Sequence, residues 1–420
     1  MLKLGIVGLG TVGSSVVKIL QENKEIIRAR AGVEIVPAIG VARNLEKHKN
    51  LGIVLSDNVD DILEDESIDM VVELIGGVDR AYEIVKKALL KGKSVVTANK
   101  ALLAYHRYEL QEIANGQGFG FEASVAGGIP IIRSLREGLS ANKILSIKGI
   151  LNGTCNYMLT KMIDEGVSFG EVLKEAQELG YAEADPTFDV GGFDASHKLL
   201  ILASIAYGID AKPEDILIEG IEGINSDDIF FAKEFGYNIK LLAIAKQNND
   251  KVELRVHPVL IKKEQMIAKV DGVMNGVSVI GDFVGETLYY GAGAGGDATA
   301  SAVVSDIISI ARGESTPMLG FKKLSTNELS LIEPDMIETE YYVRMSVIDE
   351  VGVLSKISSL FAKHDISIDS FLQKSSKNSG KTTLLFSTHK CQEKRIKEAL
   401  KSIKELSFVQ GAPSMIRIED

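Results

Sequence analysis

Hydrophobic positions in the first hundred residues follow two alternating patterns. Continuous apolar runs occur at LGIVGL, VEIVPAIGVA, IDMVVELIG and SVVTANK, and between them lie stretches with helical spacing such as VVKILQENKEII and AYEIVKKALLKG. Continuous apolar runs are typical of strands buried on both faces. Their alternation with helices predicts an α/β domain with a doubly wound parallel sheet, which we place at residues 1–130.

The pattern changes in the next part of the chain. Longer helical stretches appear, such as EVLKEAQELG and ASHKLLILASIAYG, and the later strands alternate apolar and polar residues, as in KVELRVHPVLI. We therefore expect an α+β domain for substrate binding and dimerisation at residues 131–295. Residues 314–340 lose periodicity and collect Pro, Gly, Ser and Glu, which is typical of a linker.

The last 80 residues, 341–420, predict a compact unit of their own. Its pattern indicates a strand at 341–347, a helix at 353–364, strands at 367–373 and 382–389, a helix at 392–404 and a strand at 408–418. The order of elements is βαββαβ.

Composition narrows the class of protein. The chain has 420 residues with a net charge of −11 and scattered basic residues, which argues against a nucleic-acid partner. Only two cysteines occur, without the spacing of a zinc site or a disulfide framework. No apolar stretch is long enough to cross a membrane and no signal peptide is indicated, so we expect a cytoplasmic protein without membrane contact.

A glycine-rich turn follows the first predicted strand. Gly8, Gly10 and Gly13 form G-x-G-x-x-G, with Thr11 and Val12 at the start of the next helix. Glycine permits the tight turn and the close approach of a pyrophosphate, and the helix N-terminus attracts the phosphate charge. In its strand-turn-helix setting, the turn predicts dinucleotide binding by a Rossmann-type domain.

The end of the second strand bears on which dinucleotide binds. An acidic residue there would favour NAD, but the strand is followed by Arg43, which suits the 2′-phosphate of NADP. A solvated surface arginine is the alternative, so NADP is favoured and NAD stays possible.

A second glycine-rich turn lies much later in the chain. Gly293, Gly295 and Gly296 precede a predicted helix at about 296–313. We expect this helix to complete the nucleotide domain, with Gly295 in contact with the cofactor.

Charged residues gather just before a long apolar helix. Asp194 and Lys198 are four residues apart, so they share one helix face in the order that favours an ion pair. An ordinary surface salt bridge is the plain interpretation. Against it, Lys198 heads an apolar run, and the glycines just upstream would let a small ligand approach the backbone.

Six segments together resemble homoserine dehydrogenases. They are GLGTVG, TANK, FEASVAGGIP, LNGTCNYML, AQELGYAEADPTFDVGGFDASHK and GAGAGGDATA, in the order expected of that family. The resemblance implies reversible reduction of L-aspartate 4-semialdehyde to L-homoserine by NAD(P)H, a step in threonine, methionine and isoleucine biosynthesis.

The resemblance also implies roles for individual residues. Lys198 and Lys100 are the expected catalytic pair, and a positioned ammonium can stabilise an alkoxide and protonate it; which lysine transfers the proton stays open. Lys100 would also lie at the cofactor. The expected substrate-binding residues are Glu183, Asp194, Gly180 and Asp189, with the backbone of residues 152–154 nearby. Asp185 precedes a proline and is as well explained by a turn.

A monovalent cation, Na⁺ or K⁺, is implied as well. By resemblance it would be held by Glu122 and the carbonyls of Val125, Gly127 and Ile129. Oxygen ligands suit such hard cations. The alternative is a turn into a helix that begins with Pro130.

The βαββαβ unit resembles ACT domains. Asp349, Gly352, Val353 and Leu354 match their ligand-binding turn, where backbone N–H groups at a helix start can hold an amino acid's carboxylate. The implied effector is threonine. A silent dimerisation unit is the alternative, and a homodimer or homotetramer is expected in either case.

Two other functions fit parts of the sequence. Cys155 could be the nucleophile of a semialdehyde dehydrogenase, but none of the six histidines is placed near it by a motif. A non-catalytic amino-acid sensor with bound nucleotide would need the glycine turn and the ACT turn, but not the two lysines.

Overall fold

The computed structural model describes residues 1–314, 316–322, 329–375 and 380–419. The first six strands form a parallel sheet in the order β3-β2-β1-β4-β5-β6. They are β1 (Leu2–Val7), β2 (Ile35–Val41), β3 (Val54–Ser56), β4 (Met70–Glu73), β5 (Ser94–Thr97) and β6 (Phe119–Gly120). From β1 the chain first adds strands on one side, as far as β3, and then adds β4, β5 and β6 on the other side. This order confirms the predicted doubly wound sheet.

Helices cover both faces of this sheet. They are α1 (Thr11–Glu22), α2 (Lys24–Ala31), α3 (Asp60–Leu63), α4 (Asp79–Leu90) and α5 (Lys100–Ala114). The middle strands β1, β4 and β5 are almost wholly buried, as their continuous apolar sequences predict.

The second part of the chain builds a mixed sheet, mainly antiparallel, that is packed against helices. Its strands are β7 (Ile144–Ile150), β8 (Leu217–Ile218), β9 (Tyr237–Asn248), β10 (Lys251–Lys262), β11 (Met274–Gly281) and β12 (Gly285–Ala292). Its helices are α6 (Ile131–Arg133), α7 (Gly153–Glu165), α8 (Phe169–Glu178), α9 (Thr187–Val190), α10 (Phe193–Tyr207) and α11 (Ser226–Glu234). A further helix, α12 (Gly296–Ala311), returns to pack beside α1.

The C-terminal unit has the predicted βαββαβ order. Strand β13 (Ser330–Leu331) precedes this unit, whose four long strands are β14 (Glu338–Ile348), β15 (Ile368–Ser375), β16 (Lys381–Thr388) and β18 (Val409–Glu419), with a two-residue strand, β17 (Cys391–Gln392), before the second helix. Its helices are α13 (Val353–Lys363) and α14 (Glu393–Lys404). The four long strands run antiparallel in the order β18-β14-β16-β15.

The stretch that we expected to be a linker contains regular structure. Its short strand β13 pairs with β10, and β14 begins three residues before the predicted start of the C-terminal unit. Residues 315 and 323–328 of this stretch lie outside the described residues.

The second sheet and the C-terminal sheet are continuous. Strand β18 pairs in parallel with β10, with Val259, Leu260 and Ile261 opposite Arg417, Ile418 and Glu419. The C-terminal unit is therefore hydrogen-bonded to the sheet that supports the substrate region.

The part of the chain that the structure describes contains no helix with both the length and the hydrophobicity needed to cross a bilayer.

Candidate active site

The first glycine turn connects β1 to α1. Gly8 has a φ of +103°, and a Cβ there would lie 2.8 Å from the carbonyl carbon of Leu74. A Cβ on Gly13 would lie 2.0 Å from the carbonyl oxygen of Gly8, whereas a Cβ on Gly10 would meet nothing within 4 Å. Gly8 and Gly13 therefore shape the turn and its packing, and Gly10 leaves open space at the N-terminus of α1, where Thr11 and Val12 begin the helix.

The second glycine turn lies beside the first. Gly295 caps α12 with a φ of +118°, and a Cβ on Gly296 would lie 2.8 Å from Cγ2 of Thr11 and 3.0 Å from Oγ of Ser15. The starts of α1 and α12 therefore pack directly against one another, and the two glycine turns lie side by side. Arg43 lies two residues after β2 and is exposed.

The TANK segment places Lys100 at the start of a helix. Asn99 caps α5 by accepting a 3.0 Å hydrogen bond from the backbone N–H of Leu102. The hydroxyl of Thr97 donates a 2.6 Å hydrogen bond to the buried carboxylate of Glu73, whose pKa is raised by burial. These contacts tie the first turn of α5 to the carboxyl ends of β4 and β5.

Asp194 is the centre of the charged cluster. Its side chain is 3% exposed, and Oδ2 lies 2.7 Å from Nζ of Lys198. The other carboxylate oxygen forms an ion pair with Lys100, whose side chain is 36% exposed. The structure thus brings together three residues from two helices, of which only the Asp194–Lys198 pair is close in sequence.

Neighbouring polar groups hold this cluster in place. Lys198 also donates a 2.7 Å hydrogen bond to the carbonyl of Leu151. The side-chain amide of Asn152 donates to Asp194 at 2.9 Å and to Asp189 at 2.8 Å. Because Asn152 also caps α7, the start of that helix is linked to both carboxylates.

Burial and charge shift the titration of these groups in different directions. Burial alone would raise the pKa of Asp194, but the two ammonium groups hold it well below its usual range. Burial lowers the pKa of Lys198, and the neighbouring Asp194 opposes this shift only in part. The pKa of Asp189 is raised, chiefly by burial. The cluster is therefore a buried aspartate with two cations and one carboxyl group that protonates more easily than usual.

Aromatic side chains lie beside Lys100. The ring of Phe188 lies 5.9 Å from Nζ of Lys100 and contacts His197 edge-on at 5.4 Å. Tyr105 contacts the other edge of His197, and burial lowers the pKa of this histidine.

The remaining predicted substrate residues lie in the turns that follow α8. Gly180 has a φ of +74°, and Glu183 is exposed, with its backbone carbonyl accepting a hydrogen bond from Gln177. The carboxylate of Asp185 accepts a 3.1 Å hydrogen bond from the backbone N–H of Thr187, which is the turn-shaping contact expected of it.

Cys155 has the environment of a structural thiol. It is fully buried, donates a hydrogen bond to the carbonyl of Asp189, and has a pKa raised well above its ordinary value by burial. A nucleophilic cysteine needs a stabilised thiolate, so the semialdehyde dehydrogenase alternative does not fit this environment.

The predicted cation segment is a buried turn. Both carboxylate oxygens of Glu122 accept backbone hydrogen bonds, from Ile132 at 2.7 Å and Arg133 at 2.8 Å. Ala126 and Gly127 both have a φ of +56°. Within the described residues, no group of three or more His, Cys, Asp or Glu side chains is placed to hold a metal ion, so main-chain carbonyls are the oxygen donors available here.

The predicted effector turn borders a depression of about 440 Å³. Gly352 caps α13 with a φ of +88°. The four predicted effector residues line this depression together with Ser355, Ser358, Gln373 and Thr382.

Sequence reasoning missed several groups of the cluster. The sequence predicted only a backbone contact for Asn152. It predicted no role for the carbonyl of Leu151 or for the buried Glu73. The position of Asn152 directly after an apolar strand and before a helix was an available signal, because asparagine is a common cap there. The phenyl and imidazole groups of Phe188 and His197 carried no comparable signal.

Family models match three regions of the chain. The model of the homoserine dehydrogenase NAD-binding domain matches residues 8–122, that of homoserine dehydrogenase matches residues 130–308, and that of the ACT domain matches residues 341–408. The chain therefore carries an NAD-binding domain and an ACT domain on either side of the substrate region.

Similar proteins cover the full length of the chain. The homoserine dehydrogenase of Helicobacter pylori is 58% identical over 100% of this chain and 99% of its own. The crystal structure of a homoserine dehydrogenase from Thiobacillus denitrificans is 45% identical with a TM-score of 0.94, covering 100% of this chain and 98% of the other. A hyperthermophilic archaeal homoserine dehydrogenase in complex with NADPH is 30% identical with a TM-score of 0.64, covering 77% of this chain and 99% of the other. Similarity along the whole length and the shared fold show that the chain belongs to the homoserine dehydrogenase family.

Proposed function

We propose that Asp194, Lys198 and Lys100 form the catalytic centre at which this enzyme interconverts L-aspartate 4-semialdehyde and L-homoserine. The observation that carries the proposal is the buried carboxylate of Asp194 bridging two ammonium groups at the end of the nucleotide-binding sheet. Two cations around one buried anion leave positive charge available to a third partner, such as the alkoxide that forms when an aldehyde is reduced.

Lys198 is the proposed proton donor in the direction of reduction. The nicotinamide, when bound, supplies the hydride. Lys198 then stabilises the developing alkoxide and gives it a proton, and in the reverse direction it removes that proton from the hydroxyl. Its side chain is 11% exposed and its pKa is lowered by burial, both of which favour proton transfer near neutral pH.

Lys100 and the acidic residues are proposed to orient the substrate. Lys100 is more exposed than Lys198 and begins the helix that follows β5, so it lies where cofactor and substrate would meet. Asp194 anchors both lysines. Glu183 and Asp189 would face the ammonium and hydroxyl groups of the substrate, and Gly180 would offer its backbone.

NADP is the proposed preferred cofactor. The glycine turns of α1 and α12, with Gly10 and Gly295 open to solvent space, fit the pyrophosphate that NAD and NADP share. Arg43 is exposed just beyond β2 and suits a 2′-phosphate. The NADPH complex of the archaeal relative supports the same preference.

A monovalent cation, Na⁺ or K⁺, is proposed at the turn after β6. The donors would be Glu122 and the carbonyls of Val125, Gly127 and Ile129. The left-handed conformation of Ala126 and Gly127 bends this segment so that successive carbonyls do not run along one line. The all-oxygen donor set fits a hard cation of low charge.

Threonine is the proposed effector of the ACT domain. The depression of about 440 Å³ beside Gly352 has room for an amino acid, and its hydroxyl and amide side chains suit a polar ligand. The start of α13 offers backbone N–H groups to a carboxylate.

A second copy of the chain is the proposed partner in a homodimer or homotetramer. Strand β12 is an edge strand of the sheet that the second part of the chain shares with the C-terminal unit. Tyr290 on this strand is 58% exposed, and Phe283 just before it is 88% exposed. An exposed edge strand with large apolar side chains favours association.

The direct test follows the loss of NADPH absorbance when aspartate 4-semialdehyde is added, in sodium and in potassium salts and with NADH for comparison. The wild-type protein should turn over, and Lys198→Met should lose roughly 10²–10⁴-fold in kcat. Lys174→Met is the matched control, since Lys174 is an exposed lysine of α8 with a side chain that is 79% exposed. Equal activity of the Lys198 and Lys174 variants would overturn the proton-transfer role.

A further inference from the structure

Residues 217–224, here called the bridging segment, lie between the active-site cluster and the ACT domain. The segment begins with β8, which pairs in parallel with β10 opposite Arg255 and Val256. The backbone N–H of Glu219 continues this pairing with a 2.8 Å hydrogen bond to the carbonyl of Val256. One edge of the bridging segment is thereby fixed to the large sheet.

The other edge of the bridging segment packs on the turn that leads to Asp194. Ile221 donates a 2.9 Å backbone hydrogen bond to the carbonyl of Val190. A Cβ on Gly220 would lie 2.6 Å from that carbonyl oxygen and 2.9 Å from Cα of Gly191. Such close backbone packing leaves the turn little freedom to move independently of the bridging segment.

The side chain of Glu219 points to the ACT domain. Each of its carboxylate oxygens accepts a 2.8 Å hydrogen bond from the guanidinium of Arg417 on β18. Arg417 is fully buried and also pairs with the buried Glu393 of α14, which accepts a 2.8 Å hydrogen bond from Tyr341. Arg417 is thus held from both sides by carboxylates of two different domains.

The geometry of the Glu219–Arg417 pair makes it a stiff connection. Two parallel hydrogen bonds fix both the distance and the plane of the partners. The guanidinium is fully buried whereas the Glu219 side chain is 37% exposed, so loss of this carboxylate removes one of the two partners that hold a buried charge. The position of Glu219, and with it the neighbouring Gly220, therefore follows the position of β18.

We propose that Glu219 and Arg417 are positioning residues for the reaction, through which the ACT domain holds the turn of residues 186–194 in its substrate-binding conformation. The proposal rests on the proposed function, in which Asp189 within that turn and Asp194 at its end belong to the substrate site. The turn supplies Asp189 and Asp194 to the proposed substrate site but none of the glycines of the proposed nucleotide site, so the pair acts mainly on substrate binding. A shift of β18 would therefore change substrate binding before it changes cofactor binding.

Glu219→Gln in the full-length enzyme tests the proposal, because it keeps the shape of the side chain and removes its charge. We expect the KM for homoserine to rise about tenfold or more while the KM for NADP changes less than about twofold, since small displacements of positioning groups have large kinetic effects. Lys374→Met is the matched control. Lys374 is on β15 of the ACT domain and forms a 2.6 Å ion pair with Asp227 of α11, so it too crosses between the domains but does not reach the turn.

A second variant keeps the test informative if Glu219→Gln folds poorly. Gly220→Ala leaves both charges in place but directs a methyl group at the carbonyl of Val190, and it should raise the KM for homoserine in the same selective way. Glu219→Asp, which keeps the charge, should be affected less than Glu219→Gln.

Two outcomes would overturn the proposal. One is an unchanged KM for homoserine in folded Glu219→Gln and Gly220→Ala, and the other is an equal change in Lys374→Met. Asp194→Asn, measured in parallel, separates this failure from failure of the proposed function. If Asp194→Asn retains full activity, the proposed substrate site is wrong, whereas a loss confined to Asp194→Asn rejects only the positioning role.

Discussion

At the scale of single residues, Asp194 determines the electrostatics of the site. Its carboxylate is the shared partner of Lys198 and Lys100 and also accepts a hydrogen bond from Asn152. Two ammonium groups so close to one another would repel if this anion were absent. We therefore expect the residue to contribute to folding as well as to the proposed catalysis, and the two contributions can be separated by substitution.

Asp194→Asn should abolish most activity and lower the free energy of unfolding by about 3–5 kcal/mol, because it leaves a buried lysine without its counter-charge. Adding Lys198→Met to this variant should recover part of the stability and none of the activity. Denaturant unfolding of the two variants, alongside the wild type, measures both effects. If the double variant is the less stable of the two, the buried lysine is not paired with Asp194 as the structure has it.

Asp189 should make stability depend on pH. Its folded-state pKa is raised by burial, so its contribution to stability is present at low pH and is lost as pH rises through the folded pKa. Asp189→Asn keeps an oxygen that can accept the hydrogen bond from Asn152 but cannot ionise. The variant should gain stability relative to the wild type as pH increases from acidic to neutral.

Thermal unfolding of both proteins across this pH range measures that difference. A constant difference in stability between Asp189→Asn and the wild type would contradict the raised pKa. Asp185→Asn provides the comparison, because the pKa of Asp185 is lowered by its hydrogen bonds with Thr187, so its pH effect has the opposite sign.

What could be predicted at this scale depended on distance along the chain. The pairing of Asp194 with Lys198 was predicted because helical spacing brings these residues together locally. Asn152 lies 42 residues from Asp194 in sequence, and no local rule connects them. The environment of Lys198 also depends on Leu151, the residue that follows β7, which the helix sequence does not reveal.

At the scale of elements, the cofactor site depends on how closely α12 approaches α1. Gly296 faces Thr11 and Ser15 at distances that leave no room for a side chain. A larger residue would push the start of one helix away from the other, and the two glycine turns would separate.

Gly296→Val should therefore raise the KM for NADP about tenfold, with a smaller change in the KM for homoserine, because loss of a positioned binding contact appears in binding. Gly170→Ala on α8 is the control, since a Cβ there meets nothing within 4 Å and alanine favours helix. Steady-state kinetics with each substrate varied in turn provide the measurement. Equal changes in both KM values would argue against a local effect at the cofactor.

Element positions were predicted well where periodicity was long. Strands β1, β2, β4 and β5 and the helices α1, α4, α13 and α14 follow directly from their apolar spacing. The short strands β3, β6, β8, β13 and β17 were not predicted, because a pairing of two or three residues is determined by the partner strand and leaves no pattern of its own. Yet β8 begins the segment that links the turn to the ACT domain.

At the scale of the whole molecule, the sequence predicted separate domains joined by a linker, whereas the structure joins two of them through one sheet. The parallel pairing of β18 with β10 brings together residues about 160 positions apart, as the Arg255–Glu419 hydrogen bond records with a separation of 164. Register between such distant strands is a tertiary property. The alternating pattern of each strand shows that it has a buried face but not which strand lies beside it.

The junction of these strands is a buried charge network, and it leads to a prediction about unfolding. Arg255 on β10 is fully buried and donates a 2.6 Å hydrogen bond to Glu419 on β18, with Glu253 as its second partner at 3.2 Å. Because the continuous sheet and this network connect the two domains, the ACT domain and the substrate domain should unfold in one cooperative transition.

Glu419→Gln should lower the free energy of unfolding by about 3–5 kcal/mol, since it removes one partner of a buried ion pair. Combining Arg255→Met and Glu419→Leu with Glu253→Gln, which neutralises the second partner of Arg255, should restore much of this loss, because the buried charges of the pair are then removed together. Scanning calorimetry can follow the transition temperature and the number of transitions for both variants. A wild-type protein that unfolds in two separate steps, or a triple variant less stable than Glu419→Gln alone, would contradict a junction held by this network.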